Sequence, residues 1–222
     1  WAPLRDAFAD AMLRCDGCGD SISLACPDCG GPADKAIYRC EECMLDELLC
    51  QSCWKDQHAR LPFHRIKKWT GSLFEKVHLA DLGIHIQFGH TSCLLPKEIP
   101  SGLVVVHVNG LHLLHASYCG CSHTHTLYEQ LFHHGLFPAT TSHPKMCATF
   151  QVLRHFHIQS LQSKISTIHF FQVLERETDN TGLSFHKVST LIRSAYMLFL
   201  SHLSQPLRGA LIGMSNCVKS KA

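Results

Sequence analysis

The sequence predicts a small α+β protein, on three observations. Six cysteines stand in three CxxC pairs between residues 26 and 53, followed by histidines at 58 and 64. Two runs of β-forming residues, 103–108 and 111–118, flank the turn signal Asn109-Gly110. From about Lys145 to Glu177, apolar residues mostly recur every three or four positions, the period of a helix. These predict a finger held by metal, a β region of short strands, and a C-terminal helical segment.

Composition narrows the function. The chain has 222 residues, enough for one large domain or two small ones, with 13 cysteines and 18 histidines. Charged residues are 17% and the net charge is +2, which excludes a disordered polyelectrolyte and a chain that coats nucleic acid by charge alone. No apolar run reaches the ~18 residues of a membrane span. The chain opens on Trp1 and shows no basic-then-apolar leader, so a fragment in a reducing intracellular compartment is expected. An odd cysteine count and this length argue against a secreted disulfide scaffold, and leave metal binding.

Residues 1–25 form a short lead segment of mixed composition. Residues 26–68 are the finger. Its ligands are Cys26, Cys29, Cys40, Cys43, Cys50, Cys53, His58 and His64. Eight ligands of the kinds zinc prefers imply two tetrahedral ions. The alternating order suggests a cross-brace. Cys26, Cys29, Cys50 and Cys53 would hold one zinc, and Cys40, Cys43, His58 and His64 the other. Spacing alone leaves a sequential pairing open. About 40 residues have too small a core to fold unaided, and each zinc would add on the order of 10 kcal/mol. Four-ligand sites leave no open position for water, so a structural role is expected.

Residues 69–145 read as short strands and turns. The Asn109-Gly110 turn is expected to pair Val108 with Leu111 and His107 with His112. Cys119 and Cys121 form a CxC step, and in an extended strand both sulfurs point the same way. With His90 and Cys93 brought back by the hairpin, they make a third zinc site. His107 and His112 are rivals for it, but face the other side of a regular strand. Residues 146–182 read as two helices with a break between Gln159 and Ser166, Ser166 capping the second. Cys147 is expected in the core at the start of the first. Cys15, Cys18 and Cys217 are expected to hold no metal, and the other histidines to be surface or packing residues. Residues 183–222 form a divergent tail.

The motifs IYRCEEC and ELLCQSCWKDQH resemble the middle of a ZZ-type finger, with likeness to B-box fingers, and this favours the cross-brace. A RING-type ubiquitin ligase is a weaker likeness, since RING fingers close with CxxC. Over residues 1–184 the motifs DGCGD, CPDCGG, LLCQSC, VNGLH, YCGC, LFPAT, CATFQVLRHFHIQSLQSKIS and RETDNTGLS occur in order. Together they resemble the second class of CxC cysteine cluster domain associated with KDZ transposases of mushroom-forming fungi. The resemblance places the family's metal positions on the eight finger ligands and on His90, Cys93, Cys119 and Cys121. His112 matches a recurrent position and His107 does not. Where this chain has DGCGD the family usually has DGRGD, so Cys18 is private to it.

That resemblance implies a nuclear, zinc-binding recognition module beside an RNase H-like transposase. Such a transposase needs several carboxylates to hold two metal ions. Only Glu129, Glu175, Glu177 and Asp179 follow residue 100, so no catalysis is expected from this chain. The expected partner is DNA or a chromatin- or transposase-related protein, with neither a membrane nor a small-molecule substrate. For DNA, the basic stretch Arg60, Arg65, Lys67, Lys68 and Trp69 offers phosphate and stacking contacts, though a solvated basic loop explains it as well. The departure from the family after about Ser184 raises a further reading, a truncated transposon remnant.

Overall fold

The computed structural model describes residues 1–18, 25–32, 36–44, 47–90, 92–121 and 125–179. The architecture is α+β, with two sheets and five α-helices among these residues. The tail beyond residue 182, with Cys217, lies outside them.

The lead segment contains a helix that the sequence reading did not specify, α1 (Arg5–Asp16), after a single 3₁₀ turn. It buries none of its residues. Arg39 ties its end to the body by donating to the carbonyls of Cys15 and Gly17.

The finger is built on β1 (Ala36–Cys40), β2 (Leu49–Cys50), α2 (Gln51–His58), β3 (Ile66–Trp69) and β4 (Phe74–Val77). The strands form an antiparallel sheet in the order β2-β1-β3-β4. This sheet continues to Val77, past residue 68. The basic stretch is therefore largely strand β3 rather than a loop.

The second sheet contains β5 (His85–Gln87), β6 (Pro96–Glu98), β7 (Leu103–His107), β8 (Gly110–Cys119), β9 (Leu136–Pro138) and β10 (Met146–Thr149). Its order is β5-β8-β7-β10-β9, with β6 also on β8. Between β8 and β9 lies a helix where only strands and turns were expected, α3 (Leu127–His133). Its signal was present in the sequence. Thr126 and Glu129 form a reciprocal capping box.

Two expectations are corrected here. The helix expected from Lys145 begins at Phe150, because Met146–Thr149 is strand β10, parallel to β7. All four of its residues are buried. One side of β10 meets the finger side of the core and the other meets the helices, and no amphipathic surface helix tolerates that. Cys147 is in the core as expected, but on this strand, where burial pushes its thiol up to about 12. The hairpin loop also lies one residue earlier than expected, so each pairing is shifted by two residues. His107 pairs with Gly110 and Val105 with His112, so Val108 and Asn109 form the loop. Gly110 is needed inside the strand. Its φ is +130°, and a Cβ there would stand 2.6 Å from Thr178 Oγ1.

The helices follow as α4 (Phe150–Ser163) and α5 (Thr167–Thr178). The expected break is present. Lys164 turns left-handed, and Ser166 caps α5 by accepting from His169 N.

Two apolar clusters lie on opposite faces of the second sheet. Val106, Met146 and Ala148 pack under Val152, Leu153, Phe156, Phe170, Phe171 and Leu174 of α4 and α5. Leu103, Val105, Leu114 and Ala116 face the other way, into a cluster continuous with Tyr38, Leu49, Trp54 and Ile66 of the finger. Alternation along β7 and β8 feeds both. The finger is thus packed against the second sheet by a shared core.

Candidate metal centres

Three groups of four ligand atoms converge, each with all four atoms within 4.8 Å of one another. They are Cys26, Cys29, Cys50 and Cys53; Cys40, Cys43, His58 and His64; and His90, Cys93, Cys119 and Cys121. The finger pairing is the cross-brace and not the sequential alternative.

Local structure explains each placement. Cys26 and Cys29 lie on a tight turn closed by hydrogen bonds from Gly30 N to Cys26 O and from Cys26 N to Gly31 O. Cys50 ends β2 and Cys53 sits in the first turn of α2. Cys40 ends β1 and Cys43 follows in the next bend, while His58 closes α2. Helix α2 therefore carries a ligand for each site at its two ends. Trp54 between them is completely buried and stacks on His58, with ring centroids 4.4 Å apart.

The distances fit zinc. Bonds of about 2.3 Å to sulfur and 2.0–2.1 Å to nitrogen put tetrahedral edges near roughly 3.8 Å between sulfurs and roughly 3.5 Å between sulfur and nitrogen. In the first group Cys29 and Cys50 Sγ are 3.7 Å apart. In the second, Cys43 Sγ lies 3.3 Å from His58 Nε2 and 3.5 Å from His64 Nδ1. In the third, Cys93 and Cys121 Sγ are 3.9 Å apart, and Cys119 Sγ is 3.1 Å from His90 Nε2. His58 Nδ1 lies 3.0 Å from the Trp54 carbonyl. With Nδ1–H donating there, Nε2 is left as the ligand atom, the outer support usual at metal-bound histidine. No other ligand is needed to fill a tetrahedral ion at any of the three.

Thiol acidities in the first group are already split. The Ser52 hydroxyl and the Cys53 backbone N–H hold Cys50 down at about 6, whereas Cys53, facing Cys50 and Cys29, is pushed up. In the second group burial pushes Cys40 up to about 12. Metal entry would release the remaining protons.

The third group is assembled by the end of β8. Strands β5 and β6 both pair with it, which brings His90 and Cys93, carried between them, over Cys119. Two glycines permit the approach. At Gly89, with φ +90°, a Cβ would lie 2.8 Å from Cys119 Cβ and from Gln130 Oε1. At Gly120 it would meet the Leu95 carbonyl at 2.9 Å. Gly89→Ala is therefore expected to cost about 2 kcal/mol or more and to remove one metal equivalent while the finger keeps both of its own. Native mass spectrometry of the variant checks this, and an unchanged metal count would refute it.

His107 and His112 are not in this site. His107 Nδ1 bonds Thr149 Oγ1 and His112 Nε2 bonds Asn109 Oδ1. Burial, aided by the neighbouring His107, pushes His112 down to about 3, so its ring is neutral and donates to Asn109. The Asn109 amide in turn donates to Glu42 Oε1 and to the Phe63 carbonyl. Sequence reading missed this junction. Glu42 lies one residue from Cys43 and also accepts from Arg65 N at 2.5 Å and Arg65 Nε at 2.7 Å. Cys15 is exposed on α1 and Cys18 is buried, and neither lies in the three groups.

The basic stretch is only partly available. Arg65 pairs with Glu41, Glu42 and Glu177, and Lys67 pairs with Glu41. Lys68 is exposed opposite Glu75, and Trp69 packs on Phe74 with centroids 4.9 Å apart. Arg60 is exposed beyond the end of α2.

The fold and these three groups define a small α+β protein organised around Cys/His sites of the zinc type. Residues 79–182 match the family described as CxC2-like cysteine cluster associated with KDZ transposases, so the resemblance read from the sequence holds over that stretch. It contains the third site, and the two finger sites precede it. No curated protein and no solved structure matches the chain.

Proposed function

We propose that this chain is a zinc-stapled, non-catalytic recognition module of KDZ transposase-associated type, acting in the nucleus on a protein partner. One observation carries the reading: each of the three clusters supplies four Cys or His ligands. A zinc ion held by four protein ligands has no position left for water or substrate, so its work is to hold a surface in shape. Intact ligand sets also favour a working module over a decayed remnant, because the loss of any one ligand would open a site.

The ion pairs of Arg65 and Lys67 favour protein over DNA as the partner. Their charges are met within the molecule, so releasing them to phosphate would cost what the carboxylates now supply. The DNA reading keeps the exposed Arg60 and Lys68. A two-part experiment on the zinc-loaded chain decides. Native mass spectrometry should count three zinc ions that survive a weak chelator, falling to two in Cys119→Ser, and a count of two in the wild type would end the three-site reading. Duplex DNA should give no saturable mobility shift at physiological salt. A shift whose log–log salt slope spans several units, reduced by neutralising Arg60 and Lys68, would replace the protein partner with DNA.

A further inference from the structure

We propose that α3 carries a fourth metal site, free of thiolates, in which His125, Glu129 and His133 hold an exchangeable divalent transition-metal ion. The three residues are spaced four apart; Glu129 and His133 lie one turn apart on α3, and His125 stands just before its cap, Thr126. His125 Nδ1 lies 3.8 Å from Glu129 Oε2. The His125 and His133 rings have centroids 5.0 Å apart, with planes at 49°. The three ligand atoms do not all lie within 4.8 Å of one another, so a change of rotamer at His133 would complete the set.

The supports of the site are fixed. Glu129 Oε2 accepts from Thr126 N and Thr126 Oγ1, both at 2.7 Å. Its Oε1 has no hydrogen-bond partner among the described residues. Gln130 donates to the His125 carbonyl and exchanges two further hydrogen bonds with the Cys119 backbone, so the segment ahead of α3 is anchored to the sheet. A surface ion pair explains His125 beside Glu129. Glu129 attracts His133, four residues on, in the same way, so both imidazoles stand beside one carboxylate.

The donor set would be two imidazoles and a carboxylate, which suits Zn²⁺, Ni²⁺ or Cu²⁺ rather than Mg²⁺ or Ca²⁺. His133 is exposed and turns toward the ion to complete the set. Solvent fills the remaining positions, so this ion exchanges where those in the thiolate clusters do not.

The test is a calorimetric titration of Ni²⁺ into the zinc-loaded full chain, with the zinc count followed by native mass spectrometry. His133→Ala should lose one Ni²⁺ equivalent or bind it on the order of tenfold more weakly or worse, with zinc unchanged. Glu129→Gln keeps the capping box and should weaken the same equivalent. His169→Ala removes an exposed histidine on α5, away from the site, and should bind as the wild type does. Equal uptake by His133→Ala and the wild type would overturn the proposal. So would an equal loss in His169→Ala, which would mean diffuse binding to surface histidines.

Discussion

Stripping the metal from the zinc-loaded chain with a strong chelator will unfold the finger and leave the helical face of the second sheet partly protected. The reason lies in where the ligands sit. Cys26, Cys40 and Cys50 are themselves members of the cluster formed with Tyr38, Leu49, Trp54 and Ile66. Strand β2 is only two residues long. Zinc at a structural site is worth on the order of 10 kcal/mol, comparable to the whole stability of an ordinary domain. Without it the buried thiols lose the ion they converge on. The cluster of Val106, Met146, Val152, Phe156, Phe171 and Leu174 contains no ligand at all. Hydrogen exchange should show β1–β4 and α2 losing protection first and furthest, with β7, β10 and α4 retaining more. Unchanged protection in the finger after complete metal removal would show that apolar packing alone holds it.

Glu42→Ala should destabilise the zinc-loaded protein by about 3 kcal/mol, a fall of roughly 10 °C in Tm, without changing the metal count. Glu42 is the point where the finger meets the β7–β8 hairpin. It accepts from the Arg65 backbone, the Arg65 guanidinium and the Asn109 amide. Burial would raise its carboxyl, but these donors outweigh burial and hold it below the usual carboxylate range. Neither side chain of the Arg65–Glu42 pair is more than 28% exposed, so solvent screens it only in part. Removing the acceptor leaves the Arg65 backbone N–H without its partner and takes one bond each from the Arg65 guanidinium, which keeps Glu41 and Glu177, and from Asn109, which keeps the Phe63 carbonyl and on which His112 relies. Glu42→Gln retains one acceptor for Asn109 and should lose about half as much. Thermal unfolding of the two variants, with zinc measured alongside, checks this. A loss under about 1 kcal/mol for Glu42→Ala would mean that the shared core alone joins finger to sheet.

Arg65 shows why such a junction is hard to read from sequence. In the chain it stands among Lys67, Lys68 and Trp69 and looks like a nucleic-acid contact. In the fold its partners come from residues 41, 42 and 177, and the last of these is 112 positions away. Lys76 likewise closes the end of α5 by donating to the Glu177 carbonyl at 2.6 Å. A charge run read without its distant partners overstates the charge it can offer.

The ligands were legible because metal chemistry is local. CxxC fits one ion through a single turn, CxC through a single extended step, and a regular strand keeps Cys119 and His112 on opposite faces. The break before Ser166 was legible for a similar reason, since a serine cap acts within four residues. The helical period near Phe150 was real, but its start was misplaced. Strand β10 is four buried residues, and periodicity cannot tell such a strand from a buried helical turn. The Asn-Gly signal gave the hairpin but placed its loop one residue late and its pairs two residues off, because Asn109 is held by Glu42 and Phe63 and Gly110 by the approach of Thr178.

By itself, the sequence determined which cysteines and histidines could hold metal, and that short strands precede a helix pair. Only the tertiary structure decided which CxxC pairs converge, that the finger and second sheet share one core, and that Arg65 and Lys67 are neutralised. The division has one physical cause. Ligand spacing and capping are settled within a few residues of chain, whereas pairing, register and charge compensation depend on segments that meet only after the chain has folded.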